Sequence, residues 1–348
     1  MNRSSSVSAI GRGVARGPTI RYPDGPMANV QLPVPGRPYV LIEPASERRI
    51  TDLDSSPIVD LYKAHGAVLF RGFQAAVAEF GHFARSLCPT NVANQSAGRT
   101  TIDAQSNVRT VDPGVGAFAL HSELSREPWT PDVALFACLS APARGGATTI
   151  CDGVELVRQM PEEIRRGLTG RRLLHLKPTW PELLQFWLGT PDPTDEMLAN
   201  PPSWCPYGFR RLGGDVIRYF SRPALHRPMF SDQPAFANFL LFSRFTRHRG
   251  DYPLLDDETR VPEPWLQGIK ATADRLTAEV AWRPGDVLML DNTRFMHGRT
   301  AILEPRERLI ASFFGYLSFA IPDAEEPPNA LWRQANFRPP LAPHERGF

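Results

Sequence analysis

The stretch that decides the fold is residues 115–125, which read VGAFALHSELS. Large apolar side chains alternate with small or polar ones, so we predict an extended segment with one buried face. Side chains two positions apart lie on the same side of a strand. His121 and Glu123 are therefore expected to project together, beside small neighbours that leave room for a ligand. Such a pair supplies two of the three protein ligands of a two-His-one-carboxylate iron site, which leaves coordination positions open.

A further histidine, His297, is the candidate for the third ligand. It follows a short apolar run at 287–290 that predicts a buried strand, and the adjacent Gly298 allows another segment to approach closely. A His-x-Glu triplet alone is more often a satisfied ion pair than a metal site, so the surrounding motifs decide. The remaining histidines have no carboxylate at matching spacing and are interpreted as core-edge or surface residues: His65, His82, His175, His226, His248 and His344.

The composition excludes several classes of function. The chain has 348 residues, is 42% hydrophobic and carries a net charge of +2 with acids and bases well mixed. This balance gives no electrostatic case for binding nucleic acid or an anionic membrane, and no apolar run approaches a membrane span. The four cysteines form no CxxC pair, and Cys138 and Cys151 lie in apolar surroundings typical of buried thiols. We therefore predict a cytoplasmic protein.

The order of predicted elements indicates one domain behind a tail. Residues 1–36 are rich in Gly, Pro, Ser and Arg and are predicted to be a flexible N-terminal tail, with residues 37–348 forming a single domain. Many short strands with helices at the side predict a mainly β protein with flanking helices (α+β), as a barrel or sandwich. Residues 177–210 carry many prolines and aromatics; a lid-like insertion over a pocket and a structural flap explain them equally well.

An ordered set of motifs between Gly66 and Tyr316 resembles the taurine dioxygenase and clavaminate synthase-like superfamily of Fe(II)- and 2-oxoglutarate-dependent oxygenases. The similar segments are the early strand at 66–72 (GAVLFRG), the HxD/E pair at 121–123, the GGxT turn at 145–148, the distal-histidine segment at 291–299 and the co-substrate arginine, Arg308. The resemblance implies a double-stranded β-helix (jelly-roll) core with catalytic function. It also implies Fe(II) as cofactor, with 2-oxoglutarate and O2 as co-substrates.

The resemblance also implies roles for individual residues. His121, Glu123 and His297 would hold Fe(II), and the distal carboxylate of 2-oxoglutarate would meet Thr148 and Arg308, because a guanidinium can bind both carboxylate oxygens. Arg306 is close enough in the sequence to be the co-substrate arginine instead. Related halogenases have Gly or Ala in place of the metal-binding carboxylate, so the glutamate argues against halogenation.

The sequence identifies the class of substrate less directly than it identifies the iron ligands. Taurine-type members bind their sulfonate with a second arginine, and this chain has Ser312 at that position, so a sulfonate is disfavoured. Arg99 and Arg222 are candidates for a substrate carboxylate, and solvated surface charges are the alternative. The resemblance implies hydroxylation of an amino acid or a derivative, free or carrier-tethered, in specialised metabolism. Desaturation, epoxidation or cyclisation on the same scaffold, a catalytically silent jelly-roll binding protein and homo-oligomerisation all stay open.

Overall fold

The computed structural model describes residues 28–46, 48–92, 98–304, 308–335 and 337–340. Its strands are β1 (Ala28–Gln31), β2 (Val40–Pro44), β3 (Ala67–Phe70), β4 (Thr90–Asn91), β5 (Thr101–Asp103), β6 (Val108–Thr110), β7 (Phe118–His121), β8 (Val133–Ser140), β9 (Thr148–Asp152), β10 (Arg172–Pro178), β11 (Gly208–Leu212), β12 (Asp215–Pro223), β13 (Leu254–Leu255), β14 (Ala278–Val280), β15 (Val287–Asp291), β16 (Phe295–Arg299) and β17 (Leu309–Tyr316). Its α-helices are α1 (Ser55–His65), α2 (Val77–Leu87), α3 (Gly153–Gln159), α4 (Glu162–Leu168), α5 (Pro181–Leu188), α6 (Asp195–Ala199), α7 (Leu240–Phe245) and α8 (Glu263–Leu276).

Within the described residues, the large sheet has nine strands in the order β1-β2-β3-β15-β8-β17-β6-β5, with β4 also paired to β17. The central strands β15 and β8 are buried over 287–291 and 133–138. Burial on both faces explains why these strands read as unbroken apolar runs and not as an alternating pattern. Side chains of these two strands form part of the core between the large sheet and a smaller one.

A small sheet, β14-β9-β16-β7, packs on the inner face of the large sheet. The core between them includes Phe136 from β8, Ile150 from β9 and Leu288 from β15. Two facing sheets of this kind, antiparallel except for the parallel pair β2–β3, form the jelly roll, so the predicted fold class is confirmed. A third sheet, β11-β12-β10-β13, is built from the chain between the strands of the jelly roll.

Helices cover the outer faces of the jelly roll. Tyr62 of α1 and Phe80 of α2 join the apolar cluster on the outside of the large sheet. Leu156 of α3 and Ile269 of α8 pack with Met296 of β16 outside the small sheet. Among the described residues, no helix combines the length and apolar composition needed to cross a membrane.

The boundary expected for the N-terminal tail needs correction. Residues 28–31, within the expected tail, form β1 and pair antiparallel with β2, while residues 1–27 lie outside the described residues. Helix α8 ends at residue 276, because residues 278–280 pair with β9 as β14. In the segment 177–210, Trp187 is 0% exposed and stacks on Trp129 at 6.1 Å, whereas Trp204 is 41% exposed.

A buried carboxylate at the end of β15 makes stability depend on pH. Asp291 is 1% exposed, and its Oδ1 accepts hydrogen bonds from the backbone N–H and the hydroxyl of Thr293. Burial raises the pKa of Asp291 from 3.8 to about 6. Because the folded pKa lies above the unfolded one, the stability this group contributes is complete below pH 3.8 and is lost as the pH rises through about 6.

We expect Asp291→Asn to raise the free energy of unfolding by about 1–3 kcal/mol at pH 7.5, the order given by a shift of about two pKa units. The amide keeps the acceptor for Thr293 and removes the buried charge. At pH 4.5 wild type and variant should differ much less. Urea unfolding at both pH values measures the effect, and a variant less stable than wild type at pH 7.5 would contradict the expectation.

Candidate active site

Three side chains suited to metal binding converge on the small sheet. His121 ends β7, His297 lies in β16, and the two are directly paired across the ladder. Glu123 follows β7 by two residues, and all three residues are buried. One ligand atom of each lies within 4.8 Å of the others. The structure therefore brings together the three residues that the sequence picked out as metal ligands.

Glu123 reaches this cluster from a turn and not from a strand, so the expectation of a continuous extended segment through residue 125 is wrong. β7 ends at His121, and Leu124 adopts a left-handed backbone conformation with φ 54°. The side chain of Asn292 holds the turn: the N–H of Glu123 donates to its Oδ1 at 2.7 Å, and its Nδ2 donates to the carbonyl of Glu123 at 3.0 Å and to that of Pro131 at 2.9 Å. Asn292 therefore positions the carboxylate through its backbone.

Asn292 belongs to the distal-histidine segment at 291–299, and its hydrogen bonds indicate a positioning role there. We expect Asn292→Ala to weaken iron binding by about 10- to 100-fold, the range found when partners of metal ligands are removed. Anaerobic Fe(II) titration against a chelator measures this. Asn238→Ala is the matched control, because Asn238 is equally buried and also holds backbone groups, those of Ala224 and Leu240, without bonding to Glu123. Equal losses in both variants would contradict a positioning role.

The donor set fits a single divalent ion. Nδ1 of His121 lies 3.0 Å from the carbonyl of Ala119; donation there leaves Nε2 with its lone pair. Burial lowers the pKa of His121 and lowers that of His297 well below the usual value, so both imidazoles are neutral at pH 7. Nε2 of His297 lies 3.7 Å from Oε2 of Glu123, less than two metal–ligand bonds of about 2.1 Å. Two imidazoles and one carboxylate suit Fe(II).

A cavity of about 660 Å³ opens onto these three residues. Aromatic rings form its floor: Phe242 lies 4.6 Å from the ring of His121, and Phe136 lies 4.9 Å from that of His297. The third sheet supplies another wall through Lys177 and Arg218. An apolar floor with charged walls is typical of a site that binds a polar small molecule in a fixed orientation.

Thr148 and Arg308 line the same cavity. Thr148 starts β9, and its hydroxyl accepts a hydrogen bond from the indole N–H of Trp282 at 3.0 Å. Arg308 donates from Nε to the carbonyl of Gly146 at 3.3 Å. Burial, with the nearby charge of Arg299, lowers the pKa of Arg308 to about 10, so the guanidinium remains charged at neutral pH. The alternative, Arg306, lies outside the described residues.

Of the three candidate substrate residues, the structure places only Arg99 in the cavity wall. Its guanidinium lies 3.6 Å from Oε2 of Glu123 and 3.4 Å from the hydroxyl of Ser312. Ser312 itself is buried and donates to the carbonyl of Arg109 at 3.1 Å. Arg99 therefore places a cation beside Ser312 of β17, the position at which taurine-type members have their second arginine.

Arg222 does not line the cavity, because its guanidinium is turned to the carbonyl of Glu127 at 3.3 Å and lies over the ring of Phe220. His175, expected at the core edge or surface, is fully buried with its ring stacked on Phe220 at 4.6 Å. Three further cavity residues were not anticipated from the sequence: Arg126, Lys177 and Arg218.

Comparison with known proteins agrees with this geometry. The model of the family described as taurine catabolism dioxygenase TauD, TfdA family, matches residues 42–312. The dapdiamide synthesis protein DdaC of Enterobacter agglomerans is 23% identical over 333 residues, which cover 87% of this chain and 98% of that protein.

Solved structures show the same fold. PvcB, an Fe, α-ketoglutarate dependent oxygenase from an isonitrile synthetic pathway, superposes with a TM-score of 0.56 at 13% identity, covering 90% of this chain and 97% of PvcB. PvcB from Pseudomonas aeruginosa gives 0.55. AAD-2 in complex with Mn(II) and N-oxalylglycine gives 0.54 at 13% identity, covering 84% of this chain and 98% of AAD-2. Because the family match spans most of the sequence, the chain belongs to the taurine catabolism dioxygenase TauD/TfdA family of Fe(II)/2-oxoglutarate-dependent oxygenases.

Proposed function

We propose that this Fe(II)/2-oxoglutarate-dependent dioxygenase hydroxylates an aliphatic carbon of an amino acid or an amino-acid-derived small molecule in specialised metabolism. The observation that carries the proposal is the convergence of His121, Glu123 and His297, within 4.8 Å of one another, in a cavity that also contains Arg308. The similarity to a dapdiamide synthesis protein supports a role in specialised metabolism.

The proposed roles follow from position and charge. His121, Glu123 and His297 would hold the iron, which supplies the chemistry that couples decarboxylation of 2-oxoglutarate to oxidation of a second substrate. The charged guanidinium of Arg308 would bind the distal carboxylate of 2-oxoglutarate, with the hydroxyl of Thr148 as a further donor.

The aromatic floor has a separate role. The rings of Phe136 and Phe242 keep water from the two imidazoles and would hold an aliphatic part of the substrate beside them. The polar end of the substrate would then face the charged walls. Such a division suits a molecule with one aliphatic and one ionic end, as an amino acid derivative has.

Anaerobic addition of Fe(II) and 2-oxoglutarate tests the iron and co-substrate assignment. A weak visible charge-transfer band should appear in the wild-type protein. Its absence from a well-folded protein would favour the alternative of a catalytically silent jelly-roll binding protein. Mass spectrometry of succinate-coupled turnover with free and carrier-bound amino acids then tests the reaction: a product heavier by one oxygen atom supports hydroxylation, and one lighter by two hydrogen atoms indicates desaturation or ring closure.

We expect Arg308→Gln to raise the KM for 2-oxoglutarate by about 10- to 100-fold with a smaller change in kcat, because a charge-assisted bidentate contact is lost from binding. Succinate release at varied 2-oxoglutarate concentration measures both constants. Arg306→Gln is the matched control and should behave as wild type. The assignment is wrong if only Arg306→Gln raises the KM.

A further inference from the structure

A group of cations in the cavity wall has no role in the iron chemistry proposed above. Lys177 of β10 and Arg218 of β12 are directly opposite each other in the antiparallel ladder, so they lie on one face of the third sheet. Both line the cavity. Like charges directly opposite in a sheet repel each other and destabilise it, so this pairing needs an anion nearby.

The protein itself supplies one such anion. Lys177 donates to Oε1 of Glu127, and the hydroxyl of Tyr207 donates to Oε2 at 2.9 Å. Arg126, the residue before Glu127, adds a third cation, whose guanidinium lies over the ring of Phe239 at 5.3 Å. All of these except Tyr207 line the cavity, which leaves three cations against one carboxylate in this part of the wall.

The excess of positive charge affects the pKa of Lys177. The pKa of Lys177 is lowered to about 8, chiefly by burial and also by the charges of Arg126 and Arg218, against the opposing effect of Glu127. An added anion would relieve the repulsion between the cations, just as Glu127 does.

Two of the three cations, Arg218 and Arg126, also keep donors that the described residues do not use. Arg218 is 5% exposed and donates to the carbonyl of Pro178 at 2.8 Å, yet its Nε is buried without a hydrogen-bond partner among the described residues. Its guanidinium is held over Trp180 at 4.9 Å, so its orientation is fixed. Arg126 makes no hydrogen bond or ion pair with any residue that the structure describes. Oriented, desolvated and unused donors are what an anion site requires.

We propose that Arg126, Lys177 and Arg218 form an anion site that binds a carboxylate of the substrate. The class of substrate is therefore a small molecule with a free carboxylate, and this statement, though not the site itself, rests on the proposed function. The same cavity of about 660 Å³ contains the anion site and the iron ligands, a volume that suits a small molecule such as a modified amino acid or dipeptide.

Calorimetric titration with matched acids and amides tests the anion site. The probes are the N-acetyl derivatives of alanine, leucine and phenylalanine and their carboxamides, added anaerobically to protein with Fe(II) and 2-oxoglutarate. We expect at least one acid to bind about tenfold or more tightly than its amide, because the amide loses the charge-assisted contacts. Arg218→Gln and Arg126→Gln should each reduce this preference to less than about threefold and leave the affinity for 2-oxoglutarate unchanged.

Two comparisons make the result decisive. Arg126→Gln removes a side chain that makes no hydrogen bond or ion pair with a described residue. We therefore expect this variant to fold even if the variant of the buried Arg218 is unstable. Arg99→Gln alters another cation of the cavity wall and should keep the preference for acids. The anion site is refuted if acids and amides bind equally, if no acid binds to a protein that binds 2-oxoglutarate, or if Arg99→Gln alone removes the preference.

The charge-transfer band and the preference for acids test the oxygenase assignment and the anion site separately. A normal charge-transfer band without a preference for acids would remove the anion site and leave the oxygenase assignment intact. Binding of acids without a band would leave the anion site and remove the oxygenase assignment.

Discussion

Replacing His121 with alanine is expected to abolish both the charge-transfer band and turnover. The imidazole is one of the three donors that converge among the residues the structure describes, and its Nδ1 contact with the carbonyl of Ala119 orients Nε2 for the metal. Loss of a partner of a metal ligand costs about 10- to 100-fold, so loss of a ligand itself should lower succinate release by more than about 100-fold. Anaerobic spectra and succinate assays at saturating 2-oxoglutarate measure the two effects.

His82→Ala provides the control for this prediction. His82 is an exposed residue of α2 and has no carboxylate partner at ligand spacing, so its band and turnover should match those of wild type. A wild-type band in His121→Ala would mean that the iron is bound elsewhere. Circular dichroism of the variant separates loss of metal from loss of fold.

Replacing Trp187 with alanine is expected to lower the free energy of unfolding by about 3–5 kcal/mol, the range for removing a large aromatic from a packed core. Trp187 is completely buried in α5, stacks on Trp129 and has its ring centroid 5.7 Å from that of Tyr207. Removal leaves a void that these rings cannot fill without moving. Urea unfolding measures the change through the midpoint at constant slope.

Trp204→Ala is the matched control, because Trp204 lies in the same segment but is 41% exposed. Its loss should be clearly smaller. This pair of variants also decides what the Pro- and aromatic-rich segment does. If Trp187→Ala alters only substrate binding and not stability, the segment acts as a lid; a large loss of stability means that it is part of the core.

The jelly-roll strands could be predicted from local sequence. Residues 133–139, 287–290 and 309–316 are unbroken apolar or small runs bounded by turn residues, and each forms a central strand of the large sheet. The convergence of His121 and His297 was implied by the family resemblance, which rests on motifs spread between Gly66 and Tyr316. For the strands, by contrast, the decisive information lies within a few consecutive residues, so a single sequence suffices.

The remaining features depend on residues that are far apart in the chain. The turn that carries Glu123 is held by Asn292, 169 positions away, and no local pattern reveals that contact. The pairing of Lys177 with Arg218 depends on the register of β10 and β12, which a one-residue slip would reverse. Arg99 reaches the hydroxyl of Ser312 over 213 positions. Side-chain identity was visible in each case, but the partner was not.

The division of the cavity between two sheets has an evolutionary consequence. The two imidazoles belong to strands of the small sheet, whereas Lys177 and Arg218 belong to the third sheet, which contributes no iron ligand. The proposed anion site therefore allows substitutions on β10 or β12 to change which molecules are accepted while the iron ligands are inherited unchanged. Divergence in substrate would then need no change in the small sheet.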